Sequence, residues 1–153
     1  MAILIPEGFY GESNLIIDKK GDFYYFQNEH FPRMCGTGME NDTLPEFLNL
    51  QPKDLIKIPK ESLKKLVEEN VMSRKENRQI LVMASQNDTI KEKALLEFLY
   101  TTKIPTYIIR RTTQEEDTVL YYKTNDRYYD PDSIKWDKSK MKLSPGSKIT
   151  FHF

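Results

Sequence analysis

Several features that mark common protein classes are scarce or absent in this sequence of 153 residues. A single cysteine, Cys35, excludes an intramolecular disulfide and therefore a disulfide-stabilised scaffold. The only histidines, His30 and His152, add too few soft ligands to complete a zinc site. No apolar run approaches the roughly 18 residues that a membrane-spanning helix needs, and the first residues lack the pattern of a signal peptide. We therefore expect a cytoplasmic protein with no membrane partner, metal ion or other cofactor.

An excess of charge of either sign is also absent. Lys and Arg together number 23, as do Asp and Glu, so the formal net charge is zero. Dedicated nucleic-acid binders normally carry a basic excess, so nucleic acid is not an expected partner. With 39% hydrophobic and 30% charged residues, the composition is that of a folded globular protein. The length favours one globular domain over residues 1–153.

What is present is organised around residues 79–111, which predict a strand, a helix and a second strand. Residues 79–84 form an apolar run typical of a strand buried on both faces. The apolar residues within 89–100 predict a helix, with Asp88 as its N-cap. Residues 106–111 are β-branched, aromatic and basic and predict the second strand. Together these elements predict a βαβ unit with parallel strands.

The N-terminal half adds a hairpin and a helix. Residues 13–17 and 22–27 are rich in β-forming side chains and flank a turn that ends in Gly21, which predicts a β-hairpin. Residues 59–72 carry a single apolar stripe at helical spacing. Shorter elements are predicted as an edge strand over 3–5, a short helix over 44–50 and a short strand or extended segment over 54–58.

After the βαβ unit, residues 112–117 predict a polar loop and residues 118–122 a strand, onto which residues 127–129 pair back. Residues 148–153 alternate and predict a half-buried strand. The fold class is therefore α/β or α+β. We expect a mixed β-sheet with one central βαβ unit, an N-terminal β-hairpin and two main helices.

The carboxyl edge of the βαβ unit is the strongest candidate site. Both strands point the same way, so the residues that follow them lie at one edge, where ligands of open α/β sheets bind. A helix N-terminus and paired arginines attract anions there. The candidate ligand- or partner-binding residues at this edge are Ser85, Asn87, Asp88, Thr89, Arg110, Arg111, Glu115 and Glu116.

Simpler interpretations of these residues stay open. Arg110 and Arg111 are able to pair on the surface with Asp88 or with the carboxylates of residues 115–117. Alternation along a strand also sends the two arginines to opposite faces, so at most one faces a pocket. The carboxylates are candidates for metal binding or acid–base chemistry, but those of residues 115–117 are consecutive and cannot all face one centre. No nucleophile–base pair or phosphate loop is present, which favours a protein that is not an enzyme.

Tyrosine is abundant, with nine residues. Three adjacent pairs, at 24–25, 121–122 and 128–129, fall within predicted strands, where one member of each pair faces outward. Outward tyrosines suit protein interfaces, although tyrosine is also a common strand residue. Tyr121 and Tyr122 are therefore candidate partner-binding residues.

Residues 85–90 (SQNDTI) and 109–118 (IRRTTQEEDT) resemble, in overall type, the small bacterial immunity proteins of toxin–immunity systems. The resemblance implies a bacterial cytoplasmic protein that neutralises a cognate toxin domain by binding it. We therefore expect a non-catalytic protein-binding module. The alternative is a small anion- or phosphate-binding domain that uses the carboxyl edge of the βαβ unit.

Overall fold

The β-forming runs of the sequence assemble into a mixed sheet of six strands. The computed structural model describes residues 2–4, 10–28, 48–102, 104–136 and 150–151. The strands are β1 (Ala2–Leu4), β2 (Ser13–Ile17), β3 (Phe23–Gln27), β4 (Ile56–Ile58), β5 (Ile80–Ser85), β6 (Thr89–Ile90), β7 (Thr106–Arg111) and β8 (Thr150–Phe151). Strands β6 and β8 form a separate parallel pair.

The six-stranded sheet has the order β1-β7-β5-β2-β3-β4. Strands β1, β7, β5 and β2 run parallel, with Val82 opposite Ile108 and Met83 opposite Leu15 in the centre. Strands β3 and β4 continue the sheet in antiparallel pairs. The predicted mixed sheet, its parallel central pair and the N-terminal hairpin are therefore confirmed. The prediction of one domain over residues 1–153 stays a prediction.

In the described part of the chain, three α-helices accompany the sheet: α1 (Leu63–Asn70), α2 (Lys93–Thr101) and α3 (Gln114–Thr124). The helix predicted over 59–72 is α1, preceded by a short 3-10 turn. The helix predicted over 89–100 begins later, at Lys93, and its N-cap is Glu92 rather than Asp88. The reason is that the β-branched residues Thr89 and Ile90 are extended and pair with β8.

The strand predicted over 118–122 is wrong, and the polar loop predicted over 112–117 is limited to Thr112 and Thr113, because α3 begins at Gln114. Thr113 caps the helix: its Oγ1 accepts from the Glu116 N–H at 3.1 Å, and the Glu116 carboxylate accepts from the Thr113 N–H at 2.9 Å. This reciprocal capping box fixes a helix start despite the β-forming side chains that follow. Three carboxylates in the first turn also suit the helix dipole.

Other sequence predictions meet the structure only in part. Tyr121 and Tyr122 are in α3, and residues 127–129 are not in a strand. The in-and-out alternation expected for these two tyrosine pairs therefore does not apply. Residues 48–50 are not helical, and the remainder of the helix predicted over 44–50 lies outside the described residues. The predicted edge strand is β1, the predicted segment over 54–58 contains β4, and of residues 148–153 only β8 is described.

Each face of the sheet has its own core, as alternation along β2 requires. Leu15 and Ile17 pack with α1 and α2, whose buried residues include Leu63, Val67, Leu95 and Phe98. Ile16 points to the other face and packs with Val119 and Leu120 of α3. Helices on both faces explain why β5 is apolar along its length. None of the helices in the described part of the chain is long and apolar enough to cross a membrane.

Candidate functional site

An open cleft of about 670 Å³ lies at the carboxyl edge of the sheet. Strands β2, β5 and β7 are parallel and end together there. One face of α3 forms a wall, because four of its residues at helical spacing line the cleft: Asp117, Leu120, Tyr121 and Thr124. The turn between β2 and β3 forms the facing wall, joined by Tyr24 and Lys57, and the residues that end or follow β5 and β7 form the floor.

Gln86 connects the elements that meet at the floor of the cleft through hydrogen bonds. Its N–H donates to the Ile17 carbonyl at 2.9 Å, its Oε1 accepts from the Lys19 N–H at 3.0 Å, and its Nε2 donates to the Asp117 carboxylate at 2.9 Å. The Thr112 hydroxyl donates to the same carboxylate at 2.6 Å. Hydrogen bonds therefore link the hairpin, the end of β5 and α3, which fixes the cleft in shape.

The hairpin turn that forms the facing wall is stabilised by Asp18. Its Oδ1 accepts from the Lys20 N–H at 2.9 Å and the Asp22 N–H at 2.8 Å. Gly21 has a φ of +87°, in the region that favours glycine, and a Cβ there would lie 2.5 Å from a Glu92 carboxylate oxygen. The turn is thus held rigidly while its lysines stay exposed.

Arg111 is the predicted site arginine that lines the cleft. Its Nε donates to the Ser85 carbonyl at 3.0 Å, its Nη2 donates to the Gln86 carbonyl at 2.8 Å, and its Nη1 forms an ion pair with Asp88. Ser85 in turn exchanges hydrogen bonds with the backbone of Asn87. Most hydrogen-bond donors of the Arg111 guanidinium are therefore already satisfied within the protein.

Arg110 lies on the opposite face of the sheet and is fully buried. It donates two parallel hydrogen bonds to Glu116, at 2.6 and 3.0 Å, and a third to the Arg111 carbonyl at 3.0 Å. Its Cζ lies 5.2 Å from the centre of the Tyr10 ring. Both arginines thus pair with predicted carboxylates, but the Arg110 pair is in the core rather than on the surface.

Glu115 is also buried and binds backbone instead of a ligand. Its carboxylate accepts from the Leu48 N–H at 2.9 Å, the Leu50 N–H at 3.0 Å and the Tyr10 hydroxyl at 3.1 Å. Burial raises the pKa of Glu115, and the nearby Glu116 adds to the rise, while these hydrogen bonds oppose it. Burial likewise raises the pKa of Tyr10. This cluster fastens residues 48–50 to the start of α3, away from the cleft.

The raised pKa of Glu115 gives a pH-dependent stability. Because its pKa in the folded state exceeds that in the unfolded state, near 4.3, its contribution is complete at lower pH and is lost as the pH rises through the folded value. We expect the free energy of unfolding of the wild type to fall, relative to a Glu115→Gln variant, as the pH rises from about 4. Urea unfolding of both proteins across this range measures the difference, and a difference that stays flat or moves the opposite way would contradict it.

Tyrosines surround the end of α3. Tyr121 lines the cleft with 48% of its surface exposed, and the Arg127 guanidinium lies 5.6 Å from its ring centre. The ring centres of Tyr121 and Tyr122 are 5.6 Å apart, and those of Tyr122 and Tyr129 are 5.2 Å apart, each pair edge to face. These contacts hold Tyr121 in place beside the cleft.

The structure separates most of the predicted site residues into a cleft group and a buried group, while Tyr122 lies outside the cleft lining and contacts Tyr121 and Tyr129. Arg111 and Tyr121 line the cleft, and Ser85, Asn87 and Asp88 adjoin its floor, whereas Arg110, Glu115 and Glu116 belong to the buried network. Thr89 is in β6. Sequence reasoning missed a further set of residues that line the cleft: Asp18, Lys19, Lys20, Asp22, Lys57 and Gln86. The charged hairpin turn was a visible signal, but its position depends on the pairing of β2 with β5.

The acidic residues near the cleft floor are engaged within the protein. Within the described ranges no three His, Cys, Asp or Glu residues are placed to hold a metal ion. The carboxylates that flank the cleft floor, Asp117 and Asp88, accept hydrogen bonds or pair with Arg111. Comparison with protein-family models, curated proteins and solved structures gave no match.

Proposed function

We propose that this chain is a non-catalytic protein-binding module, of the type of a bacterial cytoplasmic immunity protein, and that the cleft receives a segment of its partner. The observation that carries the proposal is the half-exposed Tyr121, held in place on the wall of a polar cleft. A tyrosine with few remaining conformations gives contact area at low entropic cost and keeps a hydroxyl for hydrogen bonding.

The shape and lining of the cleft support a macromolecular partner. The cleft is open, and its walls carry both lysines and aspartates around Tyr24, Leu120 and Tyr121. Small-molecule sites are usually enclosed and mostly apolar, with a few converging polar groups. An aromatic anchor with a polar, mixed-charge rim is instead the usual composition of a protein interface.

The immunity-type part of the proposal rests on the resemblance of residues 85–90 and 109–118. In the structure these two segments lie together, because Arg111 binds the Ser85 and Gln86 carbonyls and Asp88. They form the floor of the cleft and the start of its α3 wall. A toxin domain bound there is neutralised when its own active surface is covered.

A small anion- or phosphate-binding domain remains the second candidate, because Arg111, Lys19 and Lys20 all line the cleft. Two observations weigh against it. The Arg111 guanidinium already donates to two backbone carbonyls and pairs with Asp88. The N-terminus of the helix that starts at this edge after β7 is already capped by Thr113 and Glu116, and Asp117 of its first turn lines the cleft, where its charge repels an anion.

The proposal is tested by selecting partners from a displayed library of genomic fragments of the source organism. Fragments that bind the wild type are screened against a Tyr121→Ala variant, in which we expect binding to weaken by about 2 kcal/mol, roughly 30-fold. Tyr100→Ala is the matched control, because Tyr100 is 90% exposed but lies on α2. The immunity-type proposal further expects a selected fragment to arrest growth when expressed alone and to lose toxicity when the chain is co-expressed.

Two results would contradict parts of this proposal separately. Fragments that bind both variants as tightly as the wild type would place the interface outside the cleft. Fragments that need Tyr121 but have no effect on growth would leave a protein-binding module and remove the immunity-type function. Thermal unfolding of both variants verifies that neither loss of binding reflects loss of the fold.

A further inference from the structure

Several of the charged side chains that line the cleft already have ion-pair or hydrogen-bond partners within the protein. The Lys57 ammonium lies 3.7 Å from the Asp22 carboxylate, and Arg111 pairs with Asp88. Asp18 and Asp117, the other two carboxylates of the lining, accept hydrogen bonds from the hairpin backbone and from the floor. Their acceptor atoms are therefore partly occupied, and a partner's cation gains less from them than from free carboxylates.

Two cationic side chains of the lining have no ion-pair partner among the described residues. Lys19 and Lys20 line the cleft and are exposed, and no carboxylate among the described residues lies within salt-bridge distance of either ammonium group. Their backbone is fixed, since the Lys19 N–H donates to Gln86 and the Lys20 N–H donates to Asp18. The chain thus presents two exposed ammonium groups at a defined place in the lining of the cleft that also holds Tyr121.

We propose that the partner segment recognised in the cleft is acidic, with carboxylates that pair with Lys19 and Lys20 while an adjoining side chain packs against Tyr121. This inference rests on the proposed protein-binding function and names the chemistry of its partner. Complementary charge sets which partner is chosen and how fast it binds, and its effect is screened by salt.

An acidic protein segment fits the cleft better than nucleic acid does. A nucleic-acid strand carries a negative charge on every nucleotide, which places phosphates beside Asp18, Asp22 and Asp117 as well as beside the lysines. A peptide places carboxylates at the lysines alone and presents donors or apolar groups elsewhere. The zero net charge of the whole chain also gives no long-range attraction for a polyanion.

The test uses the full chain and fluorescein-labelled synthetic peptides that share a Tyr- and Gly-containing background and carry Glu, Gln or Lys at the variable positions. Binding is measured by fluorescence anisotropy at constant ionic strength. We expect the Glu peptides to bind at least about tenfold more tightly than the Gln and Lys peptides. A Lys19→Ser/Lys20→Ser variant should lose that preference. Lys53→Ser/Lys75→Ser removes the same charge from exposed lysines outside the cleft lining and should keep it.

Each contrary result has a distinct meaning. Glu and Gln peptides that bind equally, and lose binding in Tyr121→Ala, would overturn the acidic-segment inference and leave the protein-binding function intact. An oligonucleotide that binds as tightly as the Glu peptides would overturn it in favour of nucleic acid. Saturable displacement of the Glu peptides by inorganic phosphate, beyond that by chloride at equal ionic strength, would favour the small-anion site. Failure of every peptide to bind would overturn the inference as well, while the genomic-fragment selection tests the function independently.

Discussion

Replacing Arg110 by methionine is expected to lower the free energy of unfolding by about 3–5 kcal/mol. The Arg110–Glu116 pair is completely buried, with both terminal guanidinium nitrogens, Nη1 and Nη2, bonded to the carboxylate. Methionine fills most of the space but leaves Glu116 as a buried charge without its partner. Urea unfolding followed by circular dichroism measures the loss.

Arg111→Met is the control for Arg110→Met, because it removes the same side chain from the next position. Its partner, Asp88, is 76% exposed, so water replaces the lost ion pair. The Ser85 and Gln86 carbonyls also lose a hydrogen bond each, so we expect a cost of about 1–2 kcal/mol, well below that of Arg110→Met. A double variant, Arg110→Met/Glu116→Met, should recover part of the stability lost in Arg110→Met, because it removes the unpaired charge. Equal costs for Arg110→Met and Arg111→Met would contradict the buried pair.

A Thr118→Pro substitution is expected to cost about 3 kcal/mol or more. Thr118 lies inside α3, where proline removes a backbone hydrogen bond and its ring clashes with the preceding turn. Because α3 buries Val119 and Leu120 and carries Glu115 and Glu116, loss of the helix also disrupts one of the two cores. Far-ultraviolet circular dichroism and urea unfolding measure both effects.

The control at this position is Thr118→Ala. The Thr118 hydroxyl donates only to the Gln114 carbonyl, one turn earlier in the same helix. Alanine has the higher helix propensity, so we expect a change of less than about 0.5 kcal/mol, or a small gain. A clear loss in Thr118→Ala would instead indicate the strand that the β-forming residues 118–122 suggest.

The sequence was informative where local signals agreed. The apolar run that became β5, the β-branched run of β7 and the glycine-ended turn between β2 and β3 each indicate one structure in both propensity and pattern. The sequence did not indicate helix α3, because threonine, valine and tyrosine are strand formers. Its buried face also includes the charged residues Glu115 and Glu116, so no apolar stripe at helical spacing is visible. The spacing of Thr113 and Glu116 is that of a capping box and was the available signal.

The site was harder to predict because it depends on pairings between distant residues. The lysines of the hairpin turn reach the carboxyl edge only because β2 lies parallel to β5, with Ile17 opposite Ser85. No local pattern in either segment specifies that β2 pairs with β5. Arg110 and Arg111 were correctly expected to face opposite sides, since this follows from strand alternation alone. Which of them meets the cleft depends on where α3 packs.

A nuclear magnetic resonance titration of the isotope-labelled chain with a selected partner fragment shows directly whether the partner binds in the cleft. We expect the perturbed backbone amides to cluster at residues 18–22, 86–88 and 117–124, which line or adjoin the cleft. Lys53 and Lys75, which lie outside the cleft lining, should keep their resonances. Perturbations centred on α2 or on residues 48–54, with residues 18–22 and 117–124 unchanged, would contradict it.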